Sequence, residues 1–239
     1  MTLLTICSNV AKEIPVESPV TIYGSSNSTA KLLLACAQKE GRVLAKEFNW
    51  LTLVKEYTFT TANGTADYGL PSDFSRLENQ TIWDRTNYWE MRGPISPQQW
   101  QEYKSSVLGD TVTVRKRYRI RDVSGTVKFS IDPTPDSADD LVFEYVSNAW
   151  CESSGGTGQT AWGADDDVGV IDEYLIELGV LWRMLKRLGM EYADERQEYE
   201  NQVRIAKAQD GGAPVLNLAA RRQTTLIGPW NVPDTGFGS

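Results

Sequence analysis

Histidine is absent from the 239 residues of this chain. Its absence removes Ser-His-Asp and Cys-His catalysis, histidine metal sites and histidine pH switches together. Cysteine is scarce as well, because Cys7, Cys36 and Cys151 are far apart and show no CxxC spacing. A sparse, odd set of cysteines is typical of a reducing compartment, so we expect buried thiols. We predict no catalytic residue, no metal and no cofactor.

Long apolar runs are also missing. None approaches the roughly 20 residues that span a bilayer, and the N-terminus shows no signal-peptide pattern, so we expect no membrane contact. Basic residues are outnumbered, 24 against 32 acidic ones, for a net charge of −8. Gripping nucleic acid requires Lys and Arg contacts to phosphate, which disfavours that function. A conduit that surrounds DNA and lets it slide is compatible with this charge.

What the chain does contain is enough apolar material, 41% of its residues, for a core. A short helix is predicted over residues 2–13, and a stronger one begins at residue 28 or 29, capped by Asn27 or Ser28. The stronger helix runs to about Trp50 and tolerates Gly41 inside it. A brief helix over 98–106 has Pro97 at its first position.

The C-terminal half contains the best helical stripe, from Ile171 to Leu188. Asp165-Asp166-Asp167 is interpreted as its opening cap rather than as a cation site, and Gly189 as its end. A polar helix from Tyr192 to about residue 209 follows. Residues 152–164 are rich in Gly, Ser and Thr and are interpreted as a flexible loop or the tip of an arm.

Strand patterns occupy the middle of the chain. Residues 51–61 alternate, and Asn63-Gly64 predicts a hairpin with a return strand over 65–70. The corner Tyr68–Leu77 follows, where Pro71 favours an extended approach and then a tight turn. Its side chains Pro71, Phe74 and Leu77 are expected to anchor the β region to the helix ahead of it. A second antiparallel region begins near residue 112, with a turn at Ser124-Gly125.

The concentrated basic patch lies in that second region. Strand alternation places four arginines on one face, where they repel one another unless they are paired. Phosphate binding, an acidic partner and a solvated strand face all remain open. We favour the carboxylates of a neighbouring subunit as their partner. The four residues are Arg115, Arg117, Arg119 and Arg121.

Aromatic and acidic residues allow two further interpretations. Trp83, Tyr88, Trp89 and Trp100 crowd a short region and are interpreted as core plus protein interface, with a sugar-binding platform as an alternative. The 32 acidic residues offer many carboxylate pairs of the kind that glycosidases use. No local motif selects one of those pairs.

From Pro214 onward no periodicity survives. The segment has apolar groups and two arginines but no partner within itself, which fits a tail that orders on another protein. Its candidate partner-binding residues are Leu216, Leu218, Arg221, Arg222, Leu226, Ile227 and Trp230.

Taken together, the chain resembles the head-to-tail adaptor family of tailed phages, the connector or tail tubular protein A-like proteins. The resemblance rests on the helix of residues 30–50, the corner Tyr68–Leu77, the inserted β region, the helix of 168–188, the polar helix after it and the extended tail. It implies an α+β fold that is mainly an α-helical bundle with an inserted antiparallel β region. The adaptor domain would span 1–213, with helical parts at 25–50 and 165–210 and the β insertion at about 51–150. An extended C-terminal arm would cover 214–239.

The resemblance also implies a function. The protein would be a non-enzymatic virion component made in the host cytoplasm. A ring of twelve subunits would dock on the portal protein at the head–tail junction and extend the DNA channel. Double-stranded DNA would pass without sequence-specific binding, and the ring would offer a surface to the next tail or nozzle protein. The alternative is a virion-associated, carboxylate-dependent polysaccharide or peptidoglycan hydrolase.

Overall fold

Most helices lie where the local sequence patterns predict them. The computed structural model describes residues 1–105 and 116–211. Within these ranges none of the helices is long and apolar enough to cross a membrane. The five α-helices of the described part are α1 (Leu3–Glu13), α2 (Ser28–Glu47), α3 (Pro97–Ser105), α4 (Glu173–Leu188) and α5 (Ala193–Gln209), and a 3-10 helix covers Leu51–Leu53.

Local chemistry accounts for most helix ends. The side chain of Asn27 accepts from the Thr29 amide at 2.8 Å, as expected, and Gly189 closes α4 in the left-handed conformation. The cap of α4 is Asp172, whose side chain accepts from the Tyr174 amide at 3.0 Å. The assignment of that cap to Asp165-Asp166-Asp167 was therefore wrong. α2 ends before Trp50, whose indole turns back and donates to the Leu44 carbonyl at 2.8 Å.

The helical core is built around α4, against which α1, α2 and α5 all pack. Leu33 and Leu44 of α2 and Ile176 and Val180 of α4 are fully buried. Each such side chain contributes about 1.5–3 kcal/mol by leaving water. Trp150 and Trp162 close the same core with their rings edge to face at 5.2 Å. The Gly- and Ser-rich segment 152–164 is thus tied to the core at Trp162.

Eleven strands occur in the described part, and they pair with one another in antiparallel fashion. They are short in the main, and their bounds are β1 (Val54–Thr60), β2 (Asp67–Gly69), β3 (Phe74–Leu77), β4 (Trp83–Asp84), β5 (Trp89–Glu90), β6 (Arg117–Val123), β7 (Thr126–Asp132), β8 (Asp140–Ser147), β9 (Cys151–Glu152), β10 (Gly158–Gln159) and β11 (Val168–Gly169).

Two of the three sheets face each other. The larger is centred on β8, with β1 on one side, β3 and β4 on the other and β5 beyond β4. The second has the order β2-β7-β6. Phe143 of β8 and Phe129 of β7 stack at 5.5 Å, and Tyr118 of β6 stacks on Phe129 at 5.1 Å. The strands therefore enclose an aromatic core of their own.

The prediction of a mainly α-helical bundle is wrong. The described residues form an α+β structure with about 24% strand, in antiparallel sheets. The physical reason is the second core, where Phe129, Ile131, Leu141 and Phe143 are all fully buried without help from the helices. The β region is a packed body beside the helical one. The boundaries 1–213 and 214–239 stay a prediction, since the residues from 212 onward lie outside the described ranges.

The predicted hairpin at Asn63-Gly64 is also wrong, although the chain turns there. β1 pairs with β8, whereas β2 pairs with β7 in the opposite sheet. Phe59 of β1 and Tyr68 of β2 meet across the aromatic core, with ring centroids 5.0 Å apart. The hairpin at Ser124-Gly125 does form, because both residues adopt the positive φ that such a turn requires.

Candidate functional site

The corner Tyr68–Leu77 joins the two bodies, but mainly through a residue that the sequence analysis did not select. Arg76 donates from Nη2 to the Phe48 carbonyl and from Nε to Asn49 Oδ1, both at 2.6 Å. A weaker bond from Nη1 reaches the Ala45 carbonyl at 3.3 Å. Arg76 therefore satisfies the free carbonyls at the end of α2 and complements the negative end of its dipole.

The apolar residues of the corner have a different role. Phe74 stacks on Tyr145 of β8 at 5.8 Å, and Phe74 and Leu77 both pack against the aromatic core. Next to them, Asp73 accepts from Lys55 at 2.9 Å and from the Tyr145 hydroxyl at 2.8 Å. Burial alone would raise the pKa of Asp73, but these donors hold it below its usual value. The corner is scaffold rather than a reactive site.

The arginine face of β6 is covered by α3. Arg117 is buried, lies 3.2 Å from Asp132 without hydrogen-bond geometry, and places its guanidinium 3.8 Å from the centre of the Tyr103 ring. Lys104 of α3 approaches the other oxygen of Asp132 at 2.9 Å. The aromatic ring and the carboxylate together compensate the buried charge of Arg117.

Arg121 is also paired inside the chain. It donates to Ser130 Oγ at 2.8 Å and to Asp67 at 3.2 Å, and lies 5.3 Å from the Trp100 ring. Arg119, between the two, is half-buried and forms no ion pair with a described residue. Arg115 lies outside the described residues. Because Arg117 and Arg121 have partners of their own, Arg119 is the described arginine of this strand that could still pair with a neighbouring subunit, and an interface at this strand stays a prediction.

A second polar group missed by sequence reasoning lies at the start of β6. The ammonium of Lys116 contacts Asp84 at 2.8 Å and also Asp139. Asn87 donates to Asp84 from its backbone and its side chain. Burial opposes ionisation of Asp84, yet Lys116 and Asn87 hold its pKa below the usual value. Its members are far apart in sequence, so no local motif could have shown it.

The aromatic residues separate into different environments. Trp100 is buried, while Trp83 and Trp89 are about half exposed. Asp84 is paired with Trp89 and Trp83 with Glu90, so alternation places the two tryptophans on opposite faces of the β4–β5 hairpin. The sugar platform built on Trp83, Trp89 and Trp100 is therefore not assembled.

An open groove does lie beside Trp83. Tyr88, Arg85, Glu56 and Glu144 line it with that tryptophan. Glu56 and Glu144 are direct partners in the β1–β8 register, so their side chains project from the same face of the sheet. Arg85 binds Glu56 at 2.9 Å. This groove contains two carboxylates beside exposed aromatic side chains.

The described residues show neither a cluster of metal ligands nor a reactive thiol. Residues 1–105 and 116–211 contain no group of three or more His, Cys, Asp or Glu side chains arranged to hold a metal ion. Asp165 instead accepts from the Tyr23 amide at 2.7 Å, and Asp167 from the Gly163 amide at 2.6 Å. The three cysteines are free and buried, and burial raises the pKa of Cys7 and Cys151 to about 12. Such thiols are not nucleophiles at neutral pH.

The tail residues predicted to bind a partner lie outside the described residues. They are Leu216, Leu218, Arg221, Arg222, Leu226, Ile227 and Trp230. Their role stays a prediction from the sequence.

The structure thus consists of two packed bodies joined at the corner, in which many polar groups of the described residues pair with one another. The model of the SU10 adaptor protein family matches residues 1–229. The chain therefore belongs to the SU10 adaptor family, a family of the phage head–tail adaptor type. Membership points to a structural virion component that contacts phage portal and tail proteins, and to a non-enzymatic role. No curated protein matches this chain.

Proposed function

We propose that this adaptor assembles as a ring that docks on the portal at the head–tail junction. Its resemblance to connector and tail tubular A-like proteins indicates twelve subunits. The ring extends the channel through which double-stranded DNA leaves, and its far side receives the next tail or nozzle protein. The single observation that carries the proposal is the family match over residues 1–229. The net charge of −8 supports it, since an acidic conduit does not retain DNA.

The arm of residues 214–239 is assigned to the portal. Its apolar residues and Arg221 and Arg222 are expected to order when they are buried on a partner. Arg119 is assigned to contact with a neighbouring subunit, because the other described arginines of its strand are already paired.

Mixing purified protein with purified portal rings tests this function. We expect the full-length chain to bind portal and give a complex whose mass reports the number of adaptor subunits. Deletion of 214–239 should abolish binding while the melting temperature of the folded part is kept. A matched control replaces the arm by a Gly/Ser segment of equal length. Equal portal binding by the truncated and full-length chains would refute the assignment of the arm, and no binding by the full-length chain would refute portal docking.

One observation favours the hydrolase alternative, namely the opposed pair Glu56 and Glu144 beside Trp83 in the open groove. Arg85 already uses Glu56 as an ion-pair partner, and the groove is open to water, so we rank this function second. Turnover of peptidoglycan and capsular polysaccharide should be measured for the wild type and for Glu144→Gln. Hydrolysis that the substitution removes would establish the alternative, and a wild type without turnover would eliminate it.

A further inference from the structure

A basic surface runs along α2 and onto the end of α4. Lys39, Arg42 and Lys46 recur at helical spacing on the exposed side of α2. Lys39 also shares a surface depression with Lys186 and Arg187 of α4. None of these five cations forms an ion pair with a described residue. We call this set the basic surface.

An acidic surface lies on α1, α5 and the first turns of α4. It consists of Glu13 on α1, Glu177 on α4 and Glu195 and Glu198 on α5. Glu13, Glu177 and Glu198 lie near the exposed ring of Tyr174, and Glu195 lies near Glu13. Partial burial and repulsion by the other three carboxylates raise the pKa of Glu13. Glu177, Glu195 and Glu198 are therefore close enough to Glu13 to disfavour its charged form.

Few cations among residues 1–105 and 116–211 neutralise the acidic surface. Glu177 accepts a hydrogen bond from Asn9 at 3.1 Å, and Lys12 donates to the same asparagine at 3.3 Å. Arg196 is engaged by Glu200 at 2.9 Å. Glu13, Glu195 and Glu198 form no ion pair with any residue of 1–105 and 116–211.

The two surfaces lie on different sides of α4. At about 100° per residue, Lys186 projects about 120° away from Tyr174 and about 180° away from Glu177, whereas Arg187 projects about 140° and about 80° away from the same two residues. Within the part of the chain that the structure describes, the helical body thus presents a basic surface on one side and an acidic surface on another, each without ion-pair partners of its own.

We propose that the acidic surface of one copy docks on the basic surface of a second copy, in a head-to-tail contact. A contact between two different surfaces of the same chain repeats from copy to copy and closes into a ring when the rotation permits. This contact rests on the proposed ring, and it identifies the two surfaces through which neighbouring subunits of that ring would meet. A second copy is favoured over nucleic acid because the chain supplies the complementary surface itself, and because its net charge of −8 repels phosphate at long range.

Charge reversal on each surface gives the test. One variant, Lys39→Glu/Arg42→Glu/Lys46→Glu, has two acidic surfaces, and the other, Glu13→Lys/Glu195→Lys/Glu198→Lys, has two basic ones. We expect each variant alone to associate at least about tenfold more weakly than the wild type. An equimolar mixture of the two should recover association, because unlike surfaces then meet in an alternating ring.

Sedimentation and native mass spectrometry should measure the assembly of the chain alone and of the chain on portal rings. Each measurement should be made at low salt and at about 0.5 M salt, and we expect the higher salt concentration to weaken the wild-type contact. The control Glu17→Lys/Glu102→Lys/Asp136→Lys makes the same change in charge as the Glu13→Lys/Glu195→Lys/Glu198→Lys variant, at exposed positions elsewhere. Carbodiimide coupling should join Lys39 or Lys46 of one copy to Glu13 or Glu198 of a differently isotope-labelled copy.

The results separate this contact from the proposed function. Unaltered association of both triple variants, or a mixture that does not recover, overturns the contact, as does a wild type that is monomeric both alone and on portal rings. If the wild type binds DNA in a salt-sensitive way, and the α2 variant loses that binding but assembles normally, the basic surface binds phosphate and the head-to-tail contact is overturned. Head-to-tail assembly without portal binding would instead refute portal docking and leave the contact standing.

Discussion

Glu40 of α2 accepts a hydrogen bond from Arg183 of α4 at 2.5 Å, and its carboxylate is completely shielded from solvent. Its other oxygen accepts from the Tyr199 hydroxyl of α5. A Cβ at Gly179 would lie 2.3 Å from Glu40 Cδ, so the close approach of α4 depends on that glycine. One buried carboxylate therefore ties three helices together.

Removal of that carboxylate is expected to be severe. Glu40→Ala leaves Arg183 without its partner and should lower the free energy of unfolding by about 3–5 kcal/mol, the usual cost of breaking a buried pair. Glu40→Met/Arg183→Met/Tyr199→Phe leaves no unpaired charge and should lose less. Urea unfolding of both variants checks this, and a triple variant less stable than Glu40→Ala would contradict it.

Gly41 is expected to be indispensable rather than merely tolerated. A Cβ there would lie 2.2 Å from ring atoms of Trp150. Although Ala is favoured over Gly in a helix by about 1 kcal/mol, overpacking should make Gly41→Ala destabilising by about 1–3 kcal/mol net. Thermal unfolding measures the loss. In Trp150→Leu, which frees space, the same substitution should cost less, and an equal loss in both backgrounds would argue against the clash.

Arg76 should matter through its geometry as well as its charge. Arg76→Lys keeps the cation but cannot reach Phe48 and Asn49 together, and we expect a loss of about 1.5–3 kcal/mol, the range for hydrogen bonds to charged groups. Arg85→Lys, at an exposed pair with Glu56, is the control and should change stability by less than about 1 kcal/mol. Urea unfolding distinguishes the two, and equal effects would remove Arg76 from its capping role.

Substitution of two arginines of β6 should have different effects, one on stability and the other on assembly. Arg117→Ala removes one of the two cations beside the buried Asp132 and leaves Lys104 as the other. This substitution should therefore lower the melting temperature. Arg119→Ala should leave the melting temperature unchanged and weaken association between subunits. Calorimetry and sedimentation give the two readouts. Normal assembly of Arg119→Ala would exclude this strand from the interface.

Acid should destabilise the β body through Asp84. Its pKa is lower in the folded than in the unfolded chain, so its stabilisation is full above the unfolded pKa and is lost as the pH falls through the folded pKa. Stability should therefore decrease below about pH 4, and less steeply in Asp84→Asn than in the wild type. Urea midpoints between pH 6 and 3 measure the slope, with the exposed Asp136→Asn as control. Parallel slopes for Asp84→Asn and the wild type would contradict the assignment.

Sequence patterns succeeded where the determining interactions are local. The helical stripes, the Asn27 cap, the Gly189 end and the Ser124-Gly125 turn all depend on residues within a few positions of one another. The absence of histidine and the net acidity likewise excluded whole classes of chemistry before any fold was known. The sequence by itself therefore determined which segments form helices and what chemistry the protein lacks.

Only the tertiary structure decided how those segments are paired. A strand's alternation shows that one face is buried but not against which sheet, so β1 was wrongly paired with β2 and the second core was missed. Arg121 and its partner Asp67 are 54 residues apart, and no spacing rule links them. Contacts between residues far apart in sequence decide whether a charged or aromatic side chain lies in the core, in an ion pair or on the surface. Among the described residues, Arg119 and the two charged surfaces of the helical body are left available for contact with other chains.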